Sequence, residues 1–360
     1  MPEARRSAIG NALAGALAAA LALLPAGAVL AGPTLLFDLK DGTVLYAEDP
    51  DNQWHPASLT KIMTAYVVFE AIQAGTVTLE TKVSCSELAS SQPPSKIGMP
   101  VGAELTVEKA LQALVVKSAN DVAVMLAEAV AGSQDAFVER MNATAKRLGM
   151  TRTKFTNANG LPAPEQVTTA RDLARLTTAV VRDFPNFAGL WSMVDIQIGK
   201  RHLRTHNALL TNYEGADGFK TGFTCDSGFN VVASAARDGR KLVAVVLGEP
   251  TGGERTLRAA SLLEHGFATQ GWKTLFGEAR TIETLPQAPD AKGPMTMRET
   301  VVSYECGTRR RPVAKKHRSV AAKAKANGEK AANSSRAAGG TAKGAKKNQK
   351  SAATSGRSHP

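Results

Sequence analysis

The sequence is poor in aromatic residues and in cysteine, and each shortage narrows the possibilities. Phe, Trp and Tyr make up 5% of the 360 residues, and three cysteines occur, Cys85, Cys225 and Cys306. The cysteines lack metal-type spacing, and the six histidines include no His-Glu-x-x-His motif. We therefore expect no metal and no cofactor. At most one disulfide can form, and the sequence leaves its partners open. The body is expected to depend on its core, since 43% of the chain is hydrophobic.

The greater part of the chain also lacks the positive charge that its composition suggests. The net charge is +12, yet from Thr308 to Pro360 there are 15 Lys and Arg against one Glu, which leaves 29 basic and 31 acidic residues elsewhere. This tail has no aromatic residue and few branched apolar ones, so we predict that it is disordered. The tail is a candidate for binding anionic envelope polymers or lipid headgroups. No nucleic-acid partner is expected.

The first 31 residues have the layout of a secretory signal peptide. Arg5 and Arg6 precede an Ala/Leu-rich run that reaches Leu30, and small residues lead to a cleavage site after Ala31. The alternative is an uncleaved membrane anchor, because the apolar run approaches spanning length. Either way we expect export across the inner membrane and a periplasmic or envelope location. The predicted division is a signal peptide over 1–31, a globular domain over 32–275, a short extension over 276–307 and the tail over 308–360.

The order of strands and helices predicts an α+β fold. An Asp41-Gly42 step between two strand-like runs predicts an N-terminal hairpin. Its strands, and three later ones, are expected at 34–39, 43–47, 218–224, 229–236 and 241–247. Helices are expected at 57–74, 106–117, 120–132 (capped by Asn120 or Asp121), 135–148 and 254–267, and residues 81–104 are expected to wind without regular structure. We predict one antiparallel sheet built from both chain ends and packed against a helical cluster.

The first motif that could carry out catalytic chemistry is Ser58-Leu59-Thr60-Lys61, at the start of a predicted buried helix. Positions i and i+3 lie on one helix face, so the Lys61 amine can approach the Ser58 hydroxyl. Lysine can activate serine only if its pKa is lowered by burial or by another cation. A Ser-x-x-Lys also arises by chance about once in a chain of this length.

The second motif, Ser118-Ala119-Asn120, lies between two predicted helices. Its hydroxyl and amide can relay a proton and bind a substrate carbonyl, although Ser and Asn are also common helix caps. The third motif, Lys220-Thr221-Gly222, falls on a predicted strand, where glycine often marks the close approach of a ligand. Its alternative is an ordinary edge strand with a polar face.

The combination is more specific than its parts. The three motifs occur in the order and context that are typical of penicillin-binding proteins and serine β-lactamases. The chain resembles the D-alanyl-D-alanine carboxypeptidases, the low-molecular-mass penicillin-binding proteins, from about Pro33 to Gly271. The resemblance rests on the stretches at 57–64, 118–123, 155–161 and 217–224. It implies a β-lactamase/transpeptidase-like fold.

The resemblance also implies a role for each motif residue. Ser58 would attack the carbonyl between two D-alanines of a peptidoglycan pentapeptide, Lys61 would be its general base, and Ser118 would pass a proton to the leaving amine. Asn120 would hold the substrate amide, and Lys220 and Thr221 would face the terminal carboxylate. Gly222, on the same strand, is a further substrate-binding candidate. The oxyanion would be bound by the backbone N–H groups of Ser58 and Phe223. β-Lactam antibiotics would inhibit by forming a slow acyl-enzyme.

The sequence departs from the family pattern at two positions. Phe223 stands where many relatives have His, and His206 stands where some have Arg. Arg255 is a further candidate for binding the carboxylate. Two other functions stay open: a serine β-lactamase, although Glu165 lacks the surroundings of a deacylating Glu, and a non-catalytic penicillin-binding or envelope-binding protein.

Overall fold

The structure is a computed structural model that describes residues 32–269, 280–301 and Cys306. Its strands are β1 (Thr34–Asp38), β2 (Val44–Glu48), β3 (Lys82–Ser84), β4 (Glu104–Thr106), β5 (Asp195–Ile198), β6 (Arg201–Arg204), β7 (Ala216–Thr224), β8 (Gly228–Arg237) and β9 (Arg240–Glu249). A 3-10 turn at Ala57–Leu59 precedes the helices α1 (Thr60–Gln73), α2 (Glu87–Ser91), α3 (Val107–Val116), α4 (Asn120–Ala131), α5 (Gln134–Arg147), α6 (Ala170–Asp183), α7 (Ala188–Trp191), α8 (Leu209–Asn212) and α9 (Gly252–Ala268). The predicted signal peptide and the predicted basic tail lie outside the described residues.

Both ends of the described chain contribute to one antiparallel sheet, in the order β2-β1-β9-β8-β7. The N-terminal strand β1 pairs with β9, so that Leu35 faces Val245. The hairpin turn between β1 and β2 contains Gly42, whose φ of +74° suits a residue without Cβ. This is the sheet that the sequence predicts, and it leaves β7 as an edge strand.

Helices pack on both faces of the sheet. On one face, α6 contacts β1 and β9, and α1, which contacts α6, is buried on nearly all sides, including Ile62 and Met63, as its unbroken apolar sequence predicts. On the other face, α9 buries Leu262 and Leu263 against β8 and β9. The edge of the sheet at β7 therefore meets the start of α1, because the 3-10 turn contacts β7.

Two local predictions are wrong. Residues 81–104 contain regular structure: β3 and β4 pair over three residues each, with α2 between them. Strands this short carry too little alternation to be read from a sequence. The N-cap of α4 is Ala119, with no side-chain cap hydrogen bond, and neither Asn120 nor Asp121 caps it. Their side chains bind other segments, as described below.

The segment 280–301 packs back on the body beside the N-terminal hairpin. Val44 N donates to Arg280 O at 2.8 Å, and Ile282 N donates to Gly42 O at 2.9 Å. The disulfide that the sequence left unassigned joins Cys225 to Cys306, 81 residues apart. Cys85 is a buried free thiol. Among the described residues, helices with the length and apolar composition needed to span a bilayer do not occur.

Candidate active site

A cavity of about 650 Å³ opens between the helices and the edge strand β7. Seven of the nine predicted site residues line it: Ser58, Ser118, Asn120, Thr221, Gly222, Phe223 and Arg255. The other two, Lys61 and Lys220, are buried within hydrogen-bonding distance of Ser58 and Ser118. The fold thus brings together three motifs that lie at 58–61, 118–120 and 220–222 of the sequence.

Ser58 lies in the 3-10 turn that leads into α1, and two glycines hold this turn against the rest of the cleft. A Cβ at Gly222 would lie 3.1 Å from Ser58 N, and a Cβ at Gly160 would collide with the carbonyl of Ala57. The glycines therefore allow β7 and the loop around Gly160 to approach the serine backbone. Ala57 itself has a φ of +49°, a conformation that costs an alanine about 1–3 kcal/mol and is found mostly at functional sites.

Lys61 follows Ser58 by one helical turn, and its amine contacts three oxygen atoms. Its Nζ lies 3.0 Å from Ser58 Oγ, 2.7 Å from Asn120 Oδ1 and 2.5 Å from the carbonyl oxygen of Asn159. The amide and carbonyl oxygens can only accept hydrogen bonds. A neutral amine has two hydrogens, which these two oxygens would occupy, so its lone pair would face the Ser58 hydroxyl.

The surroundings of Lys61 favour this neutral form. Burial lowers the pKa of Lys61 well below its usual value, and the nearby charge of Lys220 lowers it further, while Asp121 acts in the opposite direction. Asp121 is itself fully buried, and its carboxylate accepts hydrogen bonds from the backbone N–H groups of Ile97 and Gly98. Lys61 therefore meets the condition for a lysine base that the sequence could only suggest.

Ser118 lies in the bend between α3 and α4, with a φ of +59° that is unusual for a serine. Its Oγ accepts a hydrogen bond from Lys220 Nζ at 2.9 Å, and Lys220 also donates to Thr221 O at 2.9 Å. Both ends of the Asn120 amide form hydrogen bonds: Oδ1 accepts from Lys61 Nζ, and Nδ2 donates to Pro93 O at 2.9 Å. The helix-cap alternative for Ser118 and Asn120 is therefore wrong.

Lys220 is the second buried lysine of the cleft. Burial, together with the charge of Arg255, lowers the pKa of Lys220 to about 7. The strand β7 is an edge strand, as the alternative for this motif supposed, but Lys220 is only 2% exposed. Near neutral pH, Lys220 can therefore exchange a proton with Ser118 or remain charged towards an anion.

One end of the cavity is rich in positive charge. Arg255 and Lys117 line it beside His206, and burial together with the charges of Lys220, Lys117 and Arg255 lowers the pKa of His206 to about 4, so its imidazole is neutral at pH 7. None of the described lining residues of the cavity is Asp or Glu. Arg255 is 8% exposed, packs over the ring of Phe229 and donates to His206 O at 3.4 Å. Burial lowers the pKa of Arg255 to about 10. This end of the cleft can receive an anion such as a carboxylate.

Asn159 is a site residue that the motif analysis missed. It contacts Lys61 through its backbone carbonyl, so its side chain gives no signal of that contact. The stretch 155–161 was part of the family resemblance, and this alone could have drawn attention to it.

Comparison with known proteins agrees with this geometry. The family model described as D-alanyl-D-alanine carboxypeptidase matches residues 20–251. The D-alanyl-D-alanine carboxypeptidase DacC of Escherichia coli K12 is 37% identical over 240 residues, which cover 65% of this chain and 60% of that protein. The chain thus matches less than two thirds of that relative's length.

Solved structures confirm the fold class. Penicillin binding protein 5 from Haemophilus influenzae is 34% identical and superimposes with a TM-score of 0.64, over 68% of this chain and 73% of that one. Penicillin-binding protein D2 from Listeria monocytogenes, in its cefotaxime-bound form, is 30% identical with a TM-score of 0.61, over 68% of this chain and 100% of that one. The fold is therefore the predicted α+β, transpeptidase-like one, and the chain belongs to the D-alanyl-D-alanine carboxypeptidase family.

Proposed function

We propose that this protein is a serine-type D-alanyl-D-alanine carboxypeptidase that acts through an acyl-enzyme on Ser58. One observation carries the proposal. Lys61 is buried 3.0 Å from Ser58 Oγ, and its two other contacts are oxygens that can only accept. The family supplies the substrate, a peptidoglycan pentapeptide that ends in two D-alanines.

In the acylation step, Ser58 Oγ attacks the carbonyl carbon between the two D-alanines while its proton passes to the lone pair of Lys61. The N–H groups of Ser58 and Phe223 receive the negative oxygen, and each such donor is typically worth about 3 kcal/mol in the transition state. The carbon–nitrogen bond then breaks as Ser118, which is held by Lys220, relays to the leaving amine the proton that Lys61 took, so that Lys61 is neutral again. In deacylation Lys61 takes a proton from the attacking water and returns it to Ser58 Oγ as the ester bond breaks, which restores the Ser58 hydroxyl.

The cation-rich end of the cleft binds the terminal carboxylate in this proposal. Lys220 and Arg255 supply the charge, and Thr221 supplies a hydroxyl. Asn120 holds the substrate amide through its Nδ2, and Gly222 lets β7, which carries Thr221 and Phe223, lie against the Ser58 backbone. The Phe223 ring stacks on Phe229 with centroids 4.1 Å apart, so this cleft wall is more apolar than one with His at that position.

The geometry disfavours the β-lactamase alternative. Deacylation of a β-lactam needs a second base near the ester, and Glu165 is paired with Lys154 at 2.6 Å on the surface, outside the cavity. A β-lactam should therefore inhibit by a long-lived acyl-enzyme. The Listeria relative was solved in cefotaxime-bound and ampicillin-bound forms. A non-catalytic binding protein would have no use for a lysine of lowered pKa beside its serine.

The test combines labelling and turnover. Replacement Ser58→Ala should abolish covalent labelling by a fluorescent penicillin while the circular dichroism spectrum is preserved. Release of D-alanine from a pentapeptide is then compared with hydrolysis of the chromogenic cephalosporin nitrocefin. Undiminished labelling of the variant would overturn the role of Ser58, and rapid nitrocefin turnover without D-alanine release would favour the β-lactamase.

The location and the tail belong to the same proposal. The predicted export segment places the enzyme in the periplasm or at the envelope, and the basic residues after Thr308 retain it there by binding anionic polymers or lipid headgroups. A chain that ends at Thr308 should lose envelope association in fractionation and keep its rate of penicillin acylation.

A further inference from the structure

The loop 156–161 forms a wall of the active site, although it has neither helix nor strand. Its Asn159 carbonyl accepts from Lys61 Nζ at 2.5 Å. Its Gly160 backbone presses against the carbonyl of Ala57, directly before Ser58. The position of this loop therefore decides where the hydrogens of the Lys61 amine point, and with them its lone pair.

A single side chain, that of Gln166, binds both ends of the loop. Its Oε1 accepts from Thr156 N at 2.8 Å and from Asn157 N at 3.1 Å. Its Nε2 donates to Leu161 O at 3.1 Å and to Asn157 Oδ1 at 3.0 Å. These partners fix the orientation of the amide, because the two backbone N–H groups can only donate and the oxygens of Leu161 and Asn157 can only accept.

Asn157 completes the clamp inside the loop. Its Oδ1 accepts from Gly160 N at 2.7 Å, and its Nδ2 donates to Leu161 O at 3.1 Å. The two amides, Gln166 and Asn157, therefore tie the loop into a closed ring around Asn159 and Gly160.

Gln166 is itself held firmly. It is 2% exposed, and its backbone carbonyl lies 2.9 Å from Nδ1 of His55, three residues before Ser58. The next two residues pair with neighbouring segments through backbone hydrogen bonds, Val167 with Lys154 and Thr168 with Trp54. The clamp thus rests on the same framework that carries the 3-10 turn of Ser58.

We propose that Gln166 is a positioning residue for acyl transfer: its amide holds the loop 156–161 so that the Asn159 carbonyl directs the Lys61 lone pair at Ser58. Gln166 touches neither the substrate nor the reacting atoms. The inference rests on the function proposed above for Ser58 and Lys61.

The variant Gln166→Glu tests this with almost no change of volume. One carboxylate oxygen still accepts from Thr156 N and Asn157 N, but the other now faces Leu161 O and Asn157 Oδ1, which are both acceptors. The loop should move, and the second-order rate of acylation by a fluorescent penicillin should fall about 10–100-fold, as expected when catalytic groups are displaced by up to about 1 Å.

The pH profile separates positioning from loss of structure. A protonated carboxyl can donate again to the acceptor side, so the ratio of the variant rate to the wild-type rate should rise as the pH falls. The matched control is Asn142→Asp, which alters the amide that binds Phe155 N at 2.9 Å and Phe155 O at 2.8 Å, just outside the loop. This control should lower the melting temperature but leave the rate within about threefold at every pH.

A Gln166→Glu protein that is folded and acylates at the wild-type rate, or at a pH-independent fraction of it, overturns the proposal. If that variant does not fold, Asn157→Asp replaces it, because it removes only the donor to Leu161 O and should show the same rising ratio. Absence of labelling in the wild-type protein would instead reject the function of Ser58, so the two failures are distinguishable.

Discussion

Two regions of this protein bury basic side chains, and they differ in whether a carboxylate pairs with the basic group. Arg171 binds Asp51 through two nitrogen–oxygen contacts, at 2.6 and 2.8 Å, and also donates to carbonyl oxygens of the segment 280–301. In the cleft, Lys61 and Lys220 are as well buried, but their partners among the described residues are hydroxyl, amide and carbonyl oxygens.

The difference separates a site that keeps its charge from one whose basic groups can be neutralised. A buried cation that is paired with a carboxylate keeps its charge and can fasten two segments together. A buried amine without such a partner is more easily neutralised, and both lysines of the cleft have lowered pKa values. The arginine region is accordingly a structural anchor, and the lysine region is a place where protons can be exchanged.

The variant Lys61→Met should have the largest effect, and on activity alone. Without the base, the rate of Ser58 acylation by penicillin should fall about 10²–10⁴-fold. The free energy of unfolding should be unchanged or higher, because methionine buries no amine. Stopped-flow labelling and urea unfolding measure the two quantities. The exposed Lys109→Met on α3 is the control, and a rate for Lys61→Met within tenfold of the wild type would contradict the comparison.

The variant Arg171→Met should do the reverse. It leaves the Asp51 carboxylate buried and unpaired, so the protein should lose about 3–5 kcal/mol of stability. The acylation rate per folded molecule should not change. The double variant Arg171→Met/Asp51→Leu should recover part of the loss, since no charge is then left alone.

A matched control for the anchor is Arg298→Met, which breaks an exposed pair with Asp226 at 2.9 Å. It should leave the midpoint of urea unfolding nearly unchanged. The anchor would be refuted if Arg171→Met unfolded at the same urea concentration as this control, or if it slowed acylation as much as Lys61→Met.

Much of the fold could be predicted because its signals are local. Asp41-Gly42 marks the first hairpin, and the tight turn at 237–240 marks two further strands at 229–236 and 241–247. The Ser58–Lys61 and Ser118–Asn120 pairs were visible for the same reason, since each lies within one turn of chain. What they bind was not visible: Asn120 accepts from a lysine 59 residues earlier.

The other features of the site and the fold depend on contacts that cannot be inferred from residue type. Asn159 acts through a backbone carbonyl, and any residue carries one. Gln166 is one polar residue in a loop, and only its buried position reveals its five hydrogen bonds. The three cysteines permitted three pairings, and only the packing of the C-terminal segment brings Cys306 to Cys225.

The smallest expected effect is on the pH dependence of stability, and it contrasts the two regions directly. The pKa of Lys220 is lowered from 10.5 to about 7 in the folded protein. Between these values the unfolded chain binds a proton that the folded one does not, so the free energy of unfolding rises with pH across this window. The Arg171–Asp51 pair affects stability in acid instead. Burial raises the pKa of the Asp51 carboxyl, but hydrogen bonds from Arg171 and Ala288 N outweigh burial and lower this pKa below 3.8. The stability that the pair contributes is therefore present above pH 3.8 and is lost as the pH falls through the lowered value.

Urea unfolding from pH 3 to 10.5 measures both effects when each region is compared with its own variant. The difference in unfolding free energy between wild type and Lys220→Met should change from pH 7 upwards, with a slope that approaches one proton per molecule. The difference between wild type and Arg171→Met/Asp51→Leu should be flat there and change only in acid. Parallel curves for wild type and Lys220→Met above pH 7 would mean that Lys220 keeps an ordinary pKa, and the contrast would then be confined to Lys61. A slope above pH 7 that appears only in the comparison with the lysine variant would show that a carboxylate partner separates the structural cation from the lysines proposed to act in catalysis.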